Sequence, residues 1–262
     1  MKWLIITFIL ISFSVVSQNP IKATFKSKIK LEVDNIAAID NFGDIYYVHD
    51  NVLILQSNKR NLGNLTYNNL QLGQITSVNA FNPLKINLFY KDFNSAIILD
   101  NRLAEIKKID FNTIQPFRNI TKISVANDNS IWIYNQDTQQ IELFDYKYNK
   151  TKITSLPLEG TLLDIKSNYN FCWVLTDKFI YTYNYFGSLV SKIDHEGFKQ
   201  IEIDNDILFV LKENKIFYSD KNNNVFEELE LPKLLINRFL VTNETLYIYH
   251  DEFLHQYQLK TD

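Results

Sequence analysis

A short, almost unbroken apolar run recurs through this chain at a spacing near forty residues. The runs begin at Ile45 (Ile-Tyr-Tyr-Val), Ile86 (Ile-Asn-Leu-Phe), Ile131 (Ile-Trp-Ile-Tyr), Phe171 (Phe-Cys-Trp-Val), Ile207 (Ile-Leu-Phe-Val) and Leu246 (Leu-Tyr-Ile-Tyr), at intervals of 41, 45, 40, 36 and 39 residues. A period of this size, with about four short strands per unit, is the signature of a β-propeller. Dense apolar strands are what a sheet covered on both sides by neighbouring blades requires. The clearest unit lies at 130–145, where an aromatic and β-branched run is followed by a polar turn and a second alternating run, a β-hairpin by composition and spacing. With 6 Gly and 5 Pro against 19 Phe and 15 Tyr, the chain has the makings of pleated strands rather than a low-complexity linker.

Strands can be placed coarsely around each run. The third unit reads 121–126, 130–134, 140–145 and 151–156, and the fourth reads 162–166, 171–175, 179–184 and 189–193. The sixth unit is one strand short, and an orphan strand waits at 23–33. Pairing that strand onto the last blade closes the ring and removes an exposed edge. The expectation is therefore all-β, a six-bladed propeller closed by its N-terminal strand, with residues 18–262 forming one domain. In the N-terminal strand, Phe25, Ile29, Leu31 and Val33 are expected on one side and the lysines on the other. The second unit is the least regular, with the 45-residue interval and Pro83. Asp50, Asp92, Asp137, Asp177, Asn214 and Asp251 end the dense runs at matching places, which fits turn chemistry repeated once per blade.

Residues 1–17 read as a secretory signal peptide: a positive charge at Lys2, an uncharged apolar stretch at 3–16, and Val15-Val16-Ser17 before a cut at Gln18. The apolar stretch is short for a bilayer span. An exported chain with one cysteine, Cys172, makes no internal disulfide, and its apolar setting marks it as an inert buried thiol.

Two stretches carry a family resemblance. Asp128-Asn129-Ser130-Ile131-Trp132-Ile133-Tyr134-Asn135 and Asp40-Asn41-Phe42-Gly43-Asp44-Ile45-Tyr46-Tyr47-Val48 resemble the repeat of NHL and related propellers, in which a turn precedes an Ile-aromatic strand. The usual glycine of that repeat stands at Gly43 and is missing from the other five turns. The Asn-, Lys-, Ile- and Tyr-rich composition is similar to that of exported proteins of Flavobacterium-type bacteria, which implies a Gram-negative envelope.

The chemistry on offer is sparse. A net charge of −3 supplies no basic field for nucleic acid. The sequence contains no Gly-x-Ser-x-Gly elbow, phosphate loop or dinucleotide fingerprint. His49 and His250 occupy equivalent places before Asp50 and Asp251 and are weak candidates for a shared metal site, but no third ligand has coordination spacing. No cofactor is expected. Tyr146, Tyr148, Tyr183 and Tyr185 stand in two tyrosine-rich patches that could present an interaction surface. These features favour a non-enzymatic periplasmic interaction module, reaching the membrane only through a protein partner in the envelope. The concrete form is an accessory or capping subunit of an outer-membrane complex such as the type IX secretion translocon. A carbohydrate-binding or carbohydrate-active propeller is the alternative. It requires an aromatic-lined central pocket with convergent acids, whereas the expected inner strands at 37–39, 77–78 and 124–126 are small and apolar.

Overall fold

The computed structural model describes residues 20–31, 33, 35–57, 64–219 and 225–261. The expected leader at 1–17 lies outside the described residues. Strand β1 (Ile21–Lys30) comes first. Blade one follows with β2 (Asn35–Ile39), β3 (Ile45–His49), β4 (Val52–Gln56) and β5 (Leu65–Tyr67). Blade two has β6 (Ser77–Asn79), β7 (Ile86–Tyr90), β8 (Ser95–Leu99) and β9 (Glu105–Asp110), and blade three has β10 (Ile120–Val125), β11 (Ser130–Asn135), β12 (Gln140–Asp145) and β13 (Lys150–Thr154). Blade four has β14 (Leu162–Ser167), β15 (Phe171–Thr176), β16 (Phe179–Asn184) and β17 (Leu189–Asp194). Blade five has β18 (Gln200–Asp204), β19 (Ile207–Lys212), β20 (Lys215–Ser219) and β21 (Glu227–Glu228), and blade six has β22 (Arg238–Thr242), β23 (Thr245–His250) and β24 (Phe253–Thr261).

The sheets are six antiparallel four-stranded blades, and the sixth has the order β1-β24-β23-β22. The chain is a six-bladed β-propeller whose ring is closed as the missing strand demands. The closing pair runs from Ile21 opposite Thr261 to Lys30 opposite Phe253.

Closure differs from expectation in one respect. A bulge between Phe25 and Ser27 shifts the register, which swaps the sides of the strand. Ile21 and Ala23 pack with Phe209, Tyr218 and Tyr257 on the blade-five side, whereas Leu31 and Val33 pack with Ile36 and Tyr247 on the blade-one side. Phe25 is accordingly not in one apolar row with Leu31; it is 54% exposed and lies edge-on to Tyr257.

The blades hold together by apolar packing. Strands β7, β8 and β11 are buried along their whole length, and the interfaces interleave residues of neighbouring blades, for example Ile98 and Phe111 of the second with Ile131 and Phe144 of the third. Each such side chain contributes about 1.5–3 kcal/mol on burial. Cys172 is among them, fully buried between blades three and four, and burial pushes its thiol pKa well up.

Polar turns lock the ring. Asn51 donates to the Gly73 carbonyl and accepts from the Ile75 N–H, Asn94 does the same with Arg118 and Ile120, and Asn214 with Leu234 and Ile236. In each case an amide in the middle hairpin of one blade pairs, like a one-residue strand, with the segment that enters the next. The extra length of the second unit is taken up by two 3-10 turns, Lys91–Phe93 and Phe111–Thr113, and by the connection leading to Arg118. There a buried ion pair, Arg118 Nε to Glu142 Oε2 at 2.9 Å, is completed by the Pro116 carbonyl and Thr151.

Glycine is not needed for most tight turns. The two-residue hairpins at Asp50 and Asn51, Asn205 and Asp206, Glu213 and Asn214, Asn243 and Glu244, and Asp251 and Glu252 all have positive φ at both positions. That is the pattern of a type I′ turn, which Asn and Asp tolerate best.

Candidate functional site

Inner strands β2, β6, β10, β14, β18 and β22 all run the same way and surround a central channel. The face where they begin is called the start face, and the face where they finish the end face. Each face opens into the channel through a mouth, of about 800 Å³ at the start and about 1000 Å³ at the end. Val78, Asn79 and Lys166 line both mouths and so mark the neck between them.

The neck is polar. Lys166 Nζ lies 2.6 Å from Glu202 Oε1, and Gln200 Nε2 lies 3.3 Å from the same oxygen. Burial pushes the Glu202 carboxyl up, opposed by Lys166. Ser124, Ser167 and Asn79 form a second chain of hydrogen bonds around the axis. Ala37, Ala38 and Val78 keep part of the wall small and apolar, as expected of blades one and two, and Val241 of blade six joins them. The inner strands of blades four to six instead turn Asp164, Lys166, Gln200, Glu202 and Arg238 to the channel.

The end mouth has a distinctive rim. Phe42, Phe81, Leu84 and Tyr169 line it, and each is between 43% and 63% exposed. Phe81 and Tyr169 meet edge-on at 5.1 Å, although they come from blades two and four. The two rings thus reach across the turn of blade three. Three of the four sit two residues after an Asp or Asn whose side chain accepts the backbone N–H: Asp40 from Phe42, Asn79 from Phe81, Asn82 from Leu84. Tyr169 follows Asn168, which accepts from Asn170 and Phe171. These Asx-turns fix the loop backbone and hold apolar side chains outward in a preset arrangement. Sequence reading missed this rim. Its one trace in the sequence is the Asx-x-Phe triplet at Asp40 and Asn79, which recurs on the same face as Asn184-Tyr185-Phe186 and on the start face as Asp177-Lys178-Phe179.

The four tyrosines divide. Tyr148 and Tyr185 are exposed, 65% and 41%, in end-face turns of blades three and four. Tyr185 lies against Phe186, which is itself 65% exposed. The turn holding them needs Gly187, since a Cβ there would sit 2.0 Å from Ile153 Cγ2. Tyr146 and Tyr183 correct the expectation: both are buried, Tyr146 among Phe89, Phe111 and Phe144, Tyr183 among Trp132, Leu143 and Cys172. Both pack toward the preceding blade, because a blade has a neighbour on each side: Tyr146 meets residues of blade two and Tyr183 residues of blade three.

His49 and His250 do end equivalent strands of adjacent blades. His49 is half-exposed, 3.7 Å from Asp50, whereas His250 lies near His255, with ring centroids 6.5 Å apart. Among the described residues no group of three or more His, Cys, Asp or Glu could hold a metal ion. Nor, among them, is any helix long and apolar enough to cross a membrane.

Charge separates the two mouths. The end mouth is lined by Asp40, Glu202, Asp204 and Asp206, with Lys166 as the one cation among the described residues of its lining. The start mouth is lined by Lys122, Lys166, Lys199 and Arg238, with Asp164, Asp251 and Glu252. Burial pushes the Asp204 carboxyl up, against the N–H groups of Asn243 and Glu244 that it accepts.

The architecture defines a β-propeller. No family model matches the sequence, and no curated protein matches it either. Solved structures do share the fold. Virginiamycin B lyase from Staphylococcus aureus, as an inactive variant with quinupristin, is 11% identical with a TM-score of 0.60, over 92% of this chain and 100% of that one. A streptogramin B lyase is 11% identical with a TM-score of 0.61, over 93% and 98%. A chain of the mitotic checkpoint complex is 9% identical with a TM-score of 0.61, over 98% and 99%. At such identities the likeness is one of fold alone.

Proposed function

We propose that this propeller is a non-enzymatic interaction module of the bacterial envelope, exported to the periplasm, that engages a protein partner through its end face. The observation that carries the reading is the concentration of exposed side chains there: Phe42, Phe81, Leu84 and Tyr169 around the mouth, with Tyr148, Tyr185 and Phe186 further out. Apolar surface of this kind, held outward by fixed turns rather than scattered, is characteristic of partner sites, and preset geometry lowers the entropy lost on binding. Export rests on the leader-like start of the sequence. In its concrete form the protein is an accessory or capping subunit of an outer-membrane complex such as the type IX secretion translocon.

The test is antibody purification of the protein from solubilised host envelopes, followed by mass spectrometry, with the wild type and a Phe81→Ala/Tyr169→Ala variant side by side. An outer-membrane protein recovered in fixed ratio by the wild type and lost by the variant supports the proposal. Recovery of the chain alone sinks it. A carbohydrate ligand is the second reading, favoured by the aromatic rings and the asparagines, among them Asn82, Asn168 and Asn205, at the same mouth. A glycan array tests it.

A further inference from the structure

Two acids of the end mouth are already engaged. Asp40 is buried and accepts from the N–H groups of Phe42 and Asp44 and from the Tyr46 hydroxyl, and the two Asp204 oxygens accept from the N–H groups of Asn243 and Glu244. The fixed amides of the rim are engaged as well, but two of them on the oxygen side alone. Asn82 Oδ1 accepts from Leu84 N at 3.0 Å, and Asn168 Oδ1 accepts from Asn170 N and Phe171 N at 2.8 Å each. Backbone donors identify those atoms as the oxygens, so the other end of each amide is a donor. Among the described residues neither NH2 group has a hydrogen-bond partner, nor has the Tyr169 hydroxyl. Asn79, by contrast, is used at both ends, by Phe81 N and by Ser124 Oγ.

Asn82 and Asn168 line the mouth beside Phe81, Leu84 and Tyr169. On this arc, from blade two to blade four, the partial charge that the two fixed amides present is therefore positive. The aromatic contact there, 5.1 Å and 80° between Phe81 and Tyr169, is edge to face and leaves an open face on each ring. Sugar hydroxyls and ordinary extended peptides bring a donor with each acceptor, and these amides have no oxygen to spare for it. A proline-rich segment brings acceptors without donors. Its tertiary amides carry a carbonyl and no N–H, and in the polyproline II form those carbonyls are unpaired. Pyrrolidine rings lie against aromatic surfaces, and a form set before binding loses little entropy.

We infer that the Phe81–Tyr169 arc of the end mouth takes a proline-rich, polyproline II segment of a partner protein. Its pyrrolidine rings lie on Phe81, Tyr169 and Leu84, and its carbonyls accept from the Asn82 and Asn168 amides and the Tyr169 hydroxyl. This rests on the interaction reading above and names the chemistry of what binds there.

The experiment uses the purified mature chain and fluorescence anisotropy with three probes: a labelled peptide of three Ala-Pro-Pro repeats, the same peptide with Ser for Pro, and maltohexaose as competitor. One variant is Asn82→Asp with Asn168→Asp, which keeps the accepting oxygen of both turns and exchanges the free donor for an acceptor. The other is Phe81→Ala with Tyr169→Ala. Circular dichroism melting checks that each folds, and the Asp variant should melt as the wild type does. The expected result is saturable binding of the Pro peptide, at least tenfold weaker for the Ser peptide, weakened about fivefold or more by either variant, and unmoved by maltohexaose. Equal binding of both peptides, or an Asp variant that binds as the wild type does, overturns the inference. Displacement by maltohexaose overturns it in favour of a sugar site. If the Pro peptide fails while the aromatic variant still loses the envelope partner, the inference falls and the interaction reading survives. If the aromatic variant keeps the partner as well, both fall.

Discussion

The two mouths of the channel are built by the same six strands and the same repeat, yet they differ in kind. The start mouth is polar and lined by four cations and three acids, and the end mouth is acidic and rimmed by aromatic side chains. The second and third strands of the blades are committed to packing between blades, so their residue types are dictated by the fold. The terminal residues of the inner strands and their turns escape that demand, and there the blades diverge. Blade one ends in Asp40 and Phe42, blade two in Phe81 and Leu84, blade four in Tyr169, blade five in Asp204 and Asp206. A repeat therefore fixes a scaffold while leaving two rings of independent positions; among the described residues, exposed Phe42, Phe81 and Tyr169 line the end mouth, whereas the start face's exposed Phe93 and Phe117 lie outside the lining of its mouth.

Several changes would break or sharpen that contrast. The largest effect belongs to Glu202→Leu, which strands the Lys166 ammonium in the neck and abolishes the boundary between the mouths. A loss of about 3 kcal/mol is expected in urea unfolding, and adding Lys166→Met should return most of it, because removing both charges also removes the unpaired one. Next comes Phe81→Ala with Tyr169→Ala. It should lower stability by about 1 kcal/mol or less, since both rings are half-exposed and their edge-on contact is of that order, while cutting partner retention at least tenfold. At the other mouth, Lys122→Gln with Lys199→Gln should leave stability within about 0.5 kcal/mol and leave end-face binding unchanged. Equal losses of partner for the two double variants would erase the distinction between the mouths.

Proton binding supplies the smallest effect, with opposite signs at His255 and Glu202. Burial, Lys28 and His250 hold the pKa of His255 below the ordinary histidine value. Its contribution is therefore complete above about 6.5 and is lost as pH falls through the depressed value. Glu202 is pushed up by burial, so its contribution is complete below the ordinary carboxylate value and fades as pH rises through the raised one. Urea midpoints between pH 7 and 5 should fall on acidification in the wild type. They should fall less in His255→Gln and more in Glu202→Gln, each by a fraction of a kcal/mol.

The sequence displayed the scaffold far better than the site. The strand boundaries of 140–145 and 179–184 could be read directly, because a doubly covered strand must be apolar on both sides and a polar turn must end it. Ring closure was legible from simple bookkeeping of strands. The bulge at Phe25 was not, since alternation continues across it in the sequence and only the pairing reveals the slip. Tyr146 and Tyr183 misled because aromatic density marks packed strands as readily as it marks surfaces. Asp164, Lys166, Glu202 and Arg238 were visible as polar residues, but their convergence exists only once blades four, five and six are set around an axis. The aromatic rim left only a local trace, Asp40 two residues before Phe42 and Asn79 two before Phe81; the same spacing recurs in start-face turns, at Asp177 and Phe179 and at Asp251 and Phe253, so the triplet alone did not mark a face.

The closing strand has a practical consequence for anyone handling the protein. Ile21, where β1 begins, is paired with Thr261, where β24 finishes, and both lie at the end-face corner of blade six. An affinity tag or fluorescent protein placed directly beside Ile21 or Thr261 is thus tethered on the side of the aromatic mouth, the face proposed above for a partner. The exposed turn at 136–139, on the start face of blade three, offers an insertion point on the opposite side of the disc. A label placed there would report on binding without standing in its way.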